Sequence, residues 1–334
     1  MSVKSRAQNR SDWRAEWAAA EGFWRNRDAA ARRRDLLWLV IALALPVGLC
    51  AARLSSDLWY DEIYTLTTAM ESWSDIALDY SAPNNHVLFT LLIHPLVFFV
   101  EDEVALRLPS FLFAVAALVG TFYVARPRAG LAAAAAATLV LGLMQMFLVH
   151  AAQIRGYGLS LALVTALAVV VLRPRRTAGM GLLLAVLAAA LVYVMPTNVL
   201  FAAAIGCADL FNGWRRQRAL GPLLRHLAPW AAGAVVAGLL YLPIYEGVLA
   251  AAGGAVPGTA ASTLRLIANV YWAALRDMMP LVVVVAFLGG VVLWRHRPSG
   301  GVDKKGTGTR LDAQGQGQVA HEAGASPRFV RCCG

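Results

Sequence analysis

The chain has 334 residues, of which 59% are hydrophobic and 15% are charged, and its mean hydropathy is +0.58. This composition excludes an ordinary soluble domain, and apolar runs of about 20 residues predict a polytopic membrane protein. The net charge of +10 does not indicate nucleic-acid binding, because Lys and Arg lie in short connections between apolar runs, where they orient a membrane protein.

The N-terminal residues 1–34 are rich in Arg and carry Trp13, Trp17 and Trp24 at near-helical spacing. This pattern predicts a basic amphipathic segment lying on the anionic inner leaflet. The Arg32–Arg34 triplet is expected to hold the N-terminus in the cytoplasm. The apolar run from about 36 to 54 then leads outward and delivers the next loop to the extracytoplasmic face.

The stretch 55–109 lies between apolar spans and is unusually acidic. Ionised carboxylates are rare in hydrocarbon unless they have a function. We therefore predict that this stretch is the first extracytoplasmic loop, that it faces water or a ligand, and that it carries the catalytic residues. Its nine acids are Asp57, Asp61, Glu62, Glu71, Asp75, Asp79, Glu101, Asp102 and Glu103.

The basic clusters at 126–128, 173–176, 214–218 and 295–297 should all be cytoplasmic. The apolar runs between these clusters can cross the membrane in alternating directions only if residues 86–100 do not cross it. This run also has only about 15 apolar residues, which is short for a bilayer, and it is interrupted by His94 and Pro95. The fold prediction is an all-α polytopic bundle with surface-lying helices in the first outer loop and both termini inside. About eight spans are expected, near 36–54, 108–125, 131–149, 158–172, 178–195, 197–211, 228–245 and 279–294.

The transmembrane domain is predicted to cover residues 35–297. The remaining residues, 298–334, are rich in Gly, Gln and Thr without periodicity and are predicted to form a disordered cytoplasmic tail. The four cysteines, Cys50, Cys207, Cys332 and Cys333, have neither the spacing of a zinc site nor that of a disulfide framework.

Four short motifs follow one another in a specific order. They are Trp59-Tyr-Asp61-Glu62, Pro83-Asn-Asn85-His86, Glu103-Val-Ala-Leu-Arg107-Leu-Pro-Ser and Gln153-Ile-Arg155-Gly-Tyr157. Over roughly residues 35–215 this set resembles the GT-C glycosyltransferases, and within them the family 39 branch of protein mannosyltransferases and lipid A aminoarabinose or galacturonic acid transferases. The resemblance implies a polyprenyl-phosphate sugar donor. Many such relatives carry a Pro-Pro pair where this chain has Asn85-His86.

Transfer of a sugar from a lipid phosphate needs a base for the acceptor hydroxyl and cations for the leaving phosphate, but no general acid. Adjacent carboxylates point to different sides of a backbone and should have separate roles. Asp61 is the predicted base, as the resemblance also implies, and Glu62 is predicted to position the acceptor or a metal. The predicted donor-phosphate ligands are Arg107, Arg155 and Tyr157, and the predicted acceptor or donor pocket is formed by Tyr64, Asn84, Asn85 and His86.

A divalent metal held by His86, His150 and Glu62 is possible, but scattered histidines are more often hydrogen-bonded polar residues, so no metal ligand is assigned. The expected partners are the polyprenyl-phosphate sugar, membrane lipids and a glycan, lipid or protein acceptor at the outer face of a plasma or inner membrane. Two alternatives stay open: a non-catalytic or truncated relative, and a transporter or interaction subunit. A transporter should keep ionisable residues at mid-membrane depth, and the predicted spans contain almost none.

Overall fold

The computed structural model describes residues 28–80, 85–173, 177–217 and 220–248. Within these ranges the chain is helical and contains no β-strand, which confirms the all-α prediction. The α-helices of these ranges, numbered in chain order, are α1 (Ala29–Ala51), α2 (Tyr60–Ala69), α3 (Trp73–Leu78), α4 (Val87–Val97), α5 (Glu103–Leu143), α6 (Gln145–His150), α7 (Tyr157–Val171), α8 (Ala178–Val194), α9 (Val199–Gln217) and α10 (Leu220–Tyr241).

Several predictions concern residues outside the described ranges. They are the amphipathic N-terminal segment up to residue 27, Pro83 and Asn84, the span near 279–294 and the tail 298–334.

Three helical stretches are long and apolar enough to cross a membrane, namely Ala29–Ala51, Glu103–Leu143 and Leu223–Val248. A hydrocarbon core of about 30 Å requires roughly 20 residues at 1.5 Å per residue. The apolar helices α4, α7 and α8 are shorter, with 11, 15 and 17 residues. These lengths support a membrane protein, while the number of spans and their orientation stay predictions.

The spans predicted near 108–125 and 131–149 belong to α5, a stretch of 41 residues with a backbone break at Gly130. The break has φ 84° and ψ −178°, and glycine adopts this positive φ without the steric penalty of a Cβ atom. The second half of α5 ends at Leu143 rather than near 149, because Met144 has extended backbone (φ −63°, ψ 131°) and α6 begins after it.

The short helix α4 is held against the acidic stretch. Its 11 residues are about 16 Å long at the usual helical rise, well short of the hydrocarbon thickness. Phe89 and Ile93 of α4 are fully buried in one cluster with Ala69 at the end of α2. His94 Nδ1 also makes a 2.8 Å hydrogen bond with the Ala69 carbonyl. Helix α4 therefore packs with α2 as part of one layer.

A bidentate ion pair joins α1 to α5. The Arg126 Nε donates to Asp35 Oδ2 at 2.8 Å, and its Nη2 donates to Oδ1 at 3.1 Å. The Asp35 side chain is 1% exposed and that of Arg126 is 16% exposed. The fork geometry of guanidinium and carboxylate fixes the two helices in one relative position.

A close crossing of α5 and α7 sets the position of the loop before α7. A Cβ atom on Gly158 would lie 2.5 Å from the Ser110 carbonyl oxygen. Only a glycine allows the two backbones to approach so closely, as at small-residue contacts between membrane helices. This contact holds residues 151–156 against α5.

Candidate functional site

Glu62 lies in the first turn of α2 with its side chain fully buried. Its Oε2 accepts a hydrogen bond from the Trp59 backbone N–H at 3.0 Å, and its Oε1 accepts one from the Ile154 N–H at 2.8 Å. The first contact satisfies a free N–H at the start of the helix. The second ties α2 to a loop 92 residues further along the chain.

Arg107 is 1% exposed and forms a bidentate pair with Glu62, with Nε to Oε1 at 2.9 Å and Nη2 to Oε2 at 3.0 Å. Its Nη1 donates to the carbonyls of Leu54 at 2.7 Å and Ser56 at 2.6 Å, and its Nη2 also donates to the carbonyl of Asp57 at 3.2 Å. A guanidinium has five N–H groups, and these five bonds use all of them.

These contacts favour a scaffold role for two residues that were predicted to bind ligands. Arg107 has no N–H left for a donor phosphate, so we assign it instead to fixing the turn 54–57 against α2. Glu62 is 0% exposed and both of its oxygens accept two hydrogen bonds. We therefore assign Glu62 to the scaffold as well, rather than to positioning an acceptor or a metal.

Arg155 is also fully buried, but its contacts differ. Its backbone N–H donates to Ser110 Oγ at 3.2 Å, and the Ser110 hydroxyl donates to its carbonyl at 3.1 Å. In the side chain, Nη1 donates to the carbonyl of Asp61 at 3.0 Å and lies 3.4 Å from Thr65 Oγ1, while Nη2 lies 3.3 Å from His86 Nε2. The guanidinium is thereby held against the first turn of α2, next to Asp61.

His86, just before α4, is 2% exposed. Its Nδ1 accepts a hydrogen bond from the Gly156 backbone N–H at 2.7 Å. Burial, together with the nearby charges of Arg155 and His150, lowers the pKa of His86 to about 3. The imidazole is therefore neutral at physiological pH.

Tyr157 is half-buried between two histidines. Its ring meets that of His86 edge-on at 4.8 Å and lies 4.3 Å from the ring of His150. The guanidinium carbon of Arg155 is 5.7 Å from the centre of the same ring. The His150 Nδ1 makes a 2.8 Å hydrogen bond with Gln153 Oε1. This cluster places Tyr157 beside Arg155 and between the two histidine rings.

Asp61 differs from its neighbour Glu62 because its side chain is half-buried rather than enclosed. Its carbonyl accepts from the Thr65 hydroxyl at 2.9 Å as well as from Arg155. The two adjacent carboxylates therefore lie in different environments. Tyr64, one turn further along α2, is half-buried too.

Asn85 has one satisfied and one unsatisfied polar atom. Its side chain is 3% exposed, and its Nδ2 donates to the carbonyl of Asp79 at 3.1 Å. Its Oδ1 is buried and has no hydrogen-bond partner. A buried acceptor in this state favours a ligand N–H or O–H.

The described part of the site thus brings together Asp61, Glu62, His86, Arg107, Arg155 and Tyr157. The sequence analysis gave no role to three buried polar residues, namely Thr65, which it missed, and Ser110 and Gln153, which it named only as members of motifs. Thr65 is four residues after Asp61 and shares its helix face, which is a usable signal. The bond of Ser110 to Arg155 crosses 45 residues and has no local signal.

Two further features concern possible ligands. Among residues 28–80, 85–173, 177–217 and 220–248 there is no group of three His, Cys, Asp or Glu side chains that could hold a metal ion. An apolar groove of about 450 Å³ lies between α8, α9 and α10, with Ala202, Gly206, Trp230 and Tyr241 in its wall.

Comparison of the chain with protein-family models, with curated proteins and with solved structures found no match. The resemblance to GT-C transferases therefore rests on the four ordered motifs alone. The function has to be inferred from the chemistry of the residues that those motifs bring together.

Proposed function

We propose that this protein is an integral membrane glycosyltransferase that moves a sugar from a polyprenyl-phosphate donor to a glycan, lipid or protein acceptor at the extracytoplasmic face. The observation that carries the proposal is the contact between Arg155 and the Asp61 backbone at 3.0 Å. It puts a buried cation directly beside the residue with the half-buried carboxylate.

Each group has one task in this reaction. Asp61 accepts the proton of the acceptor hydroxyl as its oxygen attacks the anomeric carbon. The bond between that carbon and the phosphate oxygen breaks on the opposite side, and its electron pair leaves with the lipid phosphate. Arg155 meets the charge that develops on the phosphate. A single displacement of this kind inverts the anomeric centre.

The scaffold supports the geometry that this step demands. Catalysis by a positioned base fails when the base moves by about an ångström. Asp61 precedes Glu62, whose four hydrogen bonds fix the first turn of α2. The ion pair of Glu62 and Arg107 therefore serves to hold the base, although neither residue contacts substrate.

A lipid-linked donor also needs apolar surface. Helices α8, α9 and α10 form an apolar groove in which small side chains predominate. Such a groove offers an apolar surface against which an isoprenoid chain can pack, and contacts of this kind depend on van der Waals packing because lipid tails are equally apolar. The groove is compatible with the proposed donor but is not specific to it.

The direct test is to incubate membranes containing the full chain with labelled polyprenyl-phosphate sugars and to measure labelled product. Asp61→Asn keeps the size of the side chain but removes the base, so transfer should fall by about 100-fold or more. Asp57→Asn is the matched control, because the Asp57 side chain is exposed and only its carbonyl is used by Arg107.

Full activity of Asp61→Asn would remove the general-base mechanism. Absence of transfer by the parent chain with every such donor would remove the transferase proposal itself. In that case uptake or binding of the same labelled compounds by vesicles containing the protein would distinguish a transporter from a non-catalytic membrane subunit.

A further inference from the structure

The apolar groove between α8, α9 and α10 is open on one side. Its volume of about 450 Å³ falls in the range of about 300–1,000 Å³ that is usual for small-molecule sites. The stretch Leu223–Val248, which includes most of α10, is long and apolar enough to cross a membrane. The open side is therefore expected to face hydrocarbon. The exposed residues along it are Ala203, Cys207, Ala234 and Gly238.

Glycines set the shape of the groove. A Cβ atom on Gly206 would lie 3.3 Å from the ring of Trp230, so this ring packs directly against α9. A Cβ atom on Gly233 would lie 2.8 Å from the Ala185 carbonyl oxygen, so α10 also lies close to α8. A Cβ atom on Gly238, in contrast, would have no other atom within 4 Å. The groove thus has a packed floor and free space at Gly238.

The dimensions of the groove fit a hydrocarbon chain better than a helix. Its wall extends from Val199 to Leu210 in α9 and from Trp230 to Tyr241 in α10. Each series spans about 16 Å, close to half of a hydrocarbon core of about 30 Å. About 450 Å³ divided by about 16 Å gives a mean cross-section of about 28 Å², against about 80 Å² for a helix of about 10 Å diameter. The groove has the length of one leaflet and is too narrow to enclose a helix.

The two ends of the groove differ in charge. Beyond Leu210 and Trp230, α9 carries Arg215 and Arg216 near its end, and α10 carries the exposed Arg225. Residues 211–226 contain no acid. At the other end, residues 241–248 contain the exposed Glu246 and neither Lys nor Arg. The end at Leu210 and Trp230, called the basic end below, therefore favours an anionic group.

The one acid near the basic end is covered. Asp209 is 3% exposed, its Oδ2 accepts from Trp230 Nε1 at 2.9 Å, and its Oδ1 lies 3.3 Å from His226 Nδ1. The His226 ring lies against α9, because a Cβ atom on Gly213 would be 3.1 Å from it. Trp214 beside this contact is exposed, and tryptophan is enriched at membrane–water interfaces. These contacts mark the basic end as an interface between hydrocarbon and headgroups.

We propose that the groove binds one acyl chain of an anionic phospholipid, whose headgroup lies at the basic end. The apolar walls supply van der Waals contacts to the chain. The arginines at the ends of α9 and α10 supply charge and hydrogen bonds to the phosphate, as basic residues beside membrane helices do for anionic lipids. The proposal does not rest on the transferase function, because the groove and these arginines contain no residue of the candidate site.

The isoprenoid chain of a sugar donor is the competing occupant. To reach the candidate site, its phosphate would have to lie at the end of the groove marked by Tyr241. The Tyr241 ring lies 5.6 Å from that of Tyr193, and both pack in one cluster with Val87, the residue after His86. That end carries Glu246 rather than a cation, so the charges favour a lipid in the opposite orientation.

The first experiment determines the orientation of the bound lipid. The full chain in detergent micelles is irradiated with either of two phosphatidylglycerols, which carry a diazirine close to the headgroup or at the end of one acyl chain. The labelled residues are then located by mass spectrometry. We expect the first probe to label residues near Leu210 and Trp230, and the second to label residues near Val199 and Tyr241. The reverse pattern, or labelling only outside the groove, would overturn the proposal.

Competition tests the headgroup. Unlabelled phosphatidylglycerol should reduce labelling of the groove at a concentration at least about fivefold lower than phosphatidylcholine with the same acyl chains. Equal competition by the two lipids would exclude an anionic-headgroup site. Stronger competition by farnesyl phosphate than by phosphatidylglycerol would assign the groove to an isoprenoid phosphate and would also overturn the proposal.

A matched pair of glycine substitutions tests the groove itself. Gly238→Leu places a side chain in the free space of the groove and should reduce labelling at least about fivefold, because it occupies the volume of the acyl chain. Gly48→Leu is the control, since Gly48 is an exposed glycine of α1 that also has no atom near its Cβ position. Undiminished labelling of Gly238→Leu would contradict an acyl chain at this position. The orientation pattern of the parent chain tests the proposal even if this variant does not fold.

A pair of arginine substitutions tests the basic end. Arg225→Gln should lower the preference for phosphatidylglycerol over phosphatidylcholine by about fivefold. Arg33→Gln removes the charge of another exposed arginine, near the start of α1, and should leave the preference unchanged. An equal preference in the two variants would exclude the headgroup site at Arg225. Lipid binding of the predicted kind without any sugar transfer would leave this proposal standing and would remove only the proposed function.

Discussion

Two arginine–carboxylate pairs in this protein have the same bidentate geometry but different surroundings. Glu62–Arg107 connects residues 45 positions apart, and Asp35–Arg126 connects residues 91 positions apart. The Arg107 side chain is 1% exposed, against 16% for Arg126. Arg107 also donates to three backbone carbonyls, and Glu62 accepts from two backbone N–H groups.

The difference shows what each pair determines. Arg107 and Glu62 bond to the backbone of three separate segments, so they fix the conformation of the turn 54–57, the start of α2 and the loop at Ile154. Asp35 and Arg126 join the side chains of two helices whose backbones are already bonded internally. The Glu62–Arg107 pair therefore shapes the candidate site, and the Asp35–Arg126 pair holds α1 against α5.

The largest effect should follow removal of Arg107. Arg107→Ala leaves Glu62 as a buried charge without its cation and three carbonyls without their donor. Loss of one partner of a buried pair costs about 3–5 kcal/mol, so we expect a reduced yield of folded protein and a strongly lowered free energy of unfolding, measured by denaturant titration in micelles.

The double variant Glu62→Leu with Arg107→Met is the control for this prediction. It removes both charges together and should be less destabilised than Arg107→Ala alone, because no uncompensated charge stays buried. If Arg107→Ala were as stable as the parent, the scaffold role of Arg107 would be wrong, and the originally predicted role in ligand binding would have to be tested instead.

A smaller effect on the free energy of unfolding is expected from pH, and it acts through His86 in the candidate site. The pKa of His86 is lowered to about 3 in the folded protein, while an unfolded histidine has a pKa of about 6.5. Below pH 6.5 the unfolded state binds the extra proton, so stability is present above this pH and is lost as the pH falls towards 3. Between pH 6.5 and 5 the loss should be about 2 kcal/mol.

Unfolding titrations at pH 5, 6 and 7.5 measure this slope, and His86→Asn should flatten it. A slope that is equally steep in His86→Asn would assign the effect to other groups. Asp35→Asn, whose pair contains no histidine, should keep the slope of the parent.

Asp35→Asn itself should cost less than loss of Arg107. The amide retains one acceptor for Arg126, and that guanidinium is partly exposed and can be hydrated. We expect a decrease of roughly 1–2 kcal/mol in the free energy of unfolding. A decrease in the free energy of unfolding as large as that of Arg107→Ala would mean that the two ion pairs stabilise the fold equally.

The smallest effect is expected for Asp57→Asn. Arg107 uses the Asp57 carbonyl, which the substitution retains, while the Asp57 side chain is exposed. The free energy of unfolding should change by less than about 0.5 kcal/mol. A larger change would show that the carboxylate, and not only the backbone, takes part in the network around Arg107.

The sequence by itself determined that the described part of the chain is helical and where its acidic stretch lies. Long apolar runs predict helices because every backbone N–H and C=O in hydrocarbon must be bonded within its own segment. This local rule predicted an all-helical chain. The basic cluster at 126–128 separately predicted a boundary between two spans at residues 126–130, where the structure has its backbone break at Gly130. The motifs also predicted that Asp61, His86 and Arg155 belong to one site, and the described residues bring them into contact.

Only the tertiary structure distinguished residues that look alike in the sequence. Arg107 and Arg155 were both predicted to bind phosphate, yet Arg107 has its five donors occupied by Glu62 and backbone carbonyls, whereas Arg155 faces His86. Asp61 and Glu62 are adjacent, yet one is half-buried and the other enclosed. These outcomes depend on contacts between residues 45 to 94 positions apart, which are set by how the helices pack and leave no trace in local periodicity.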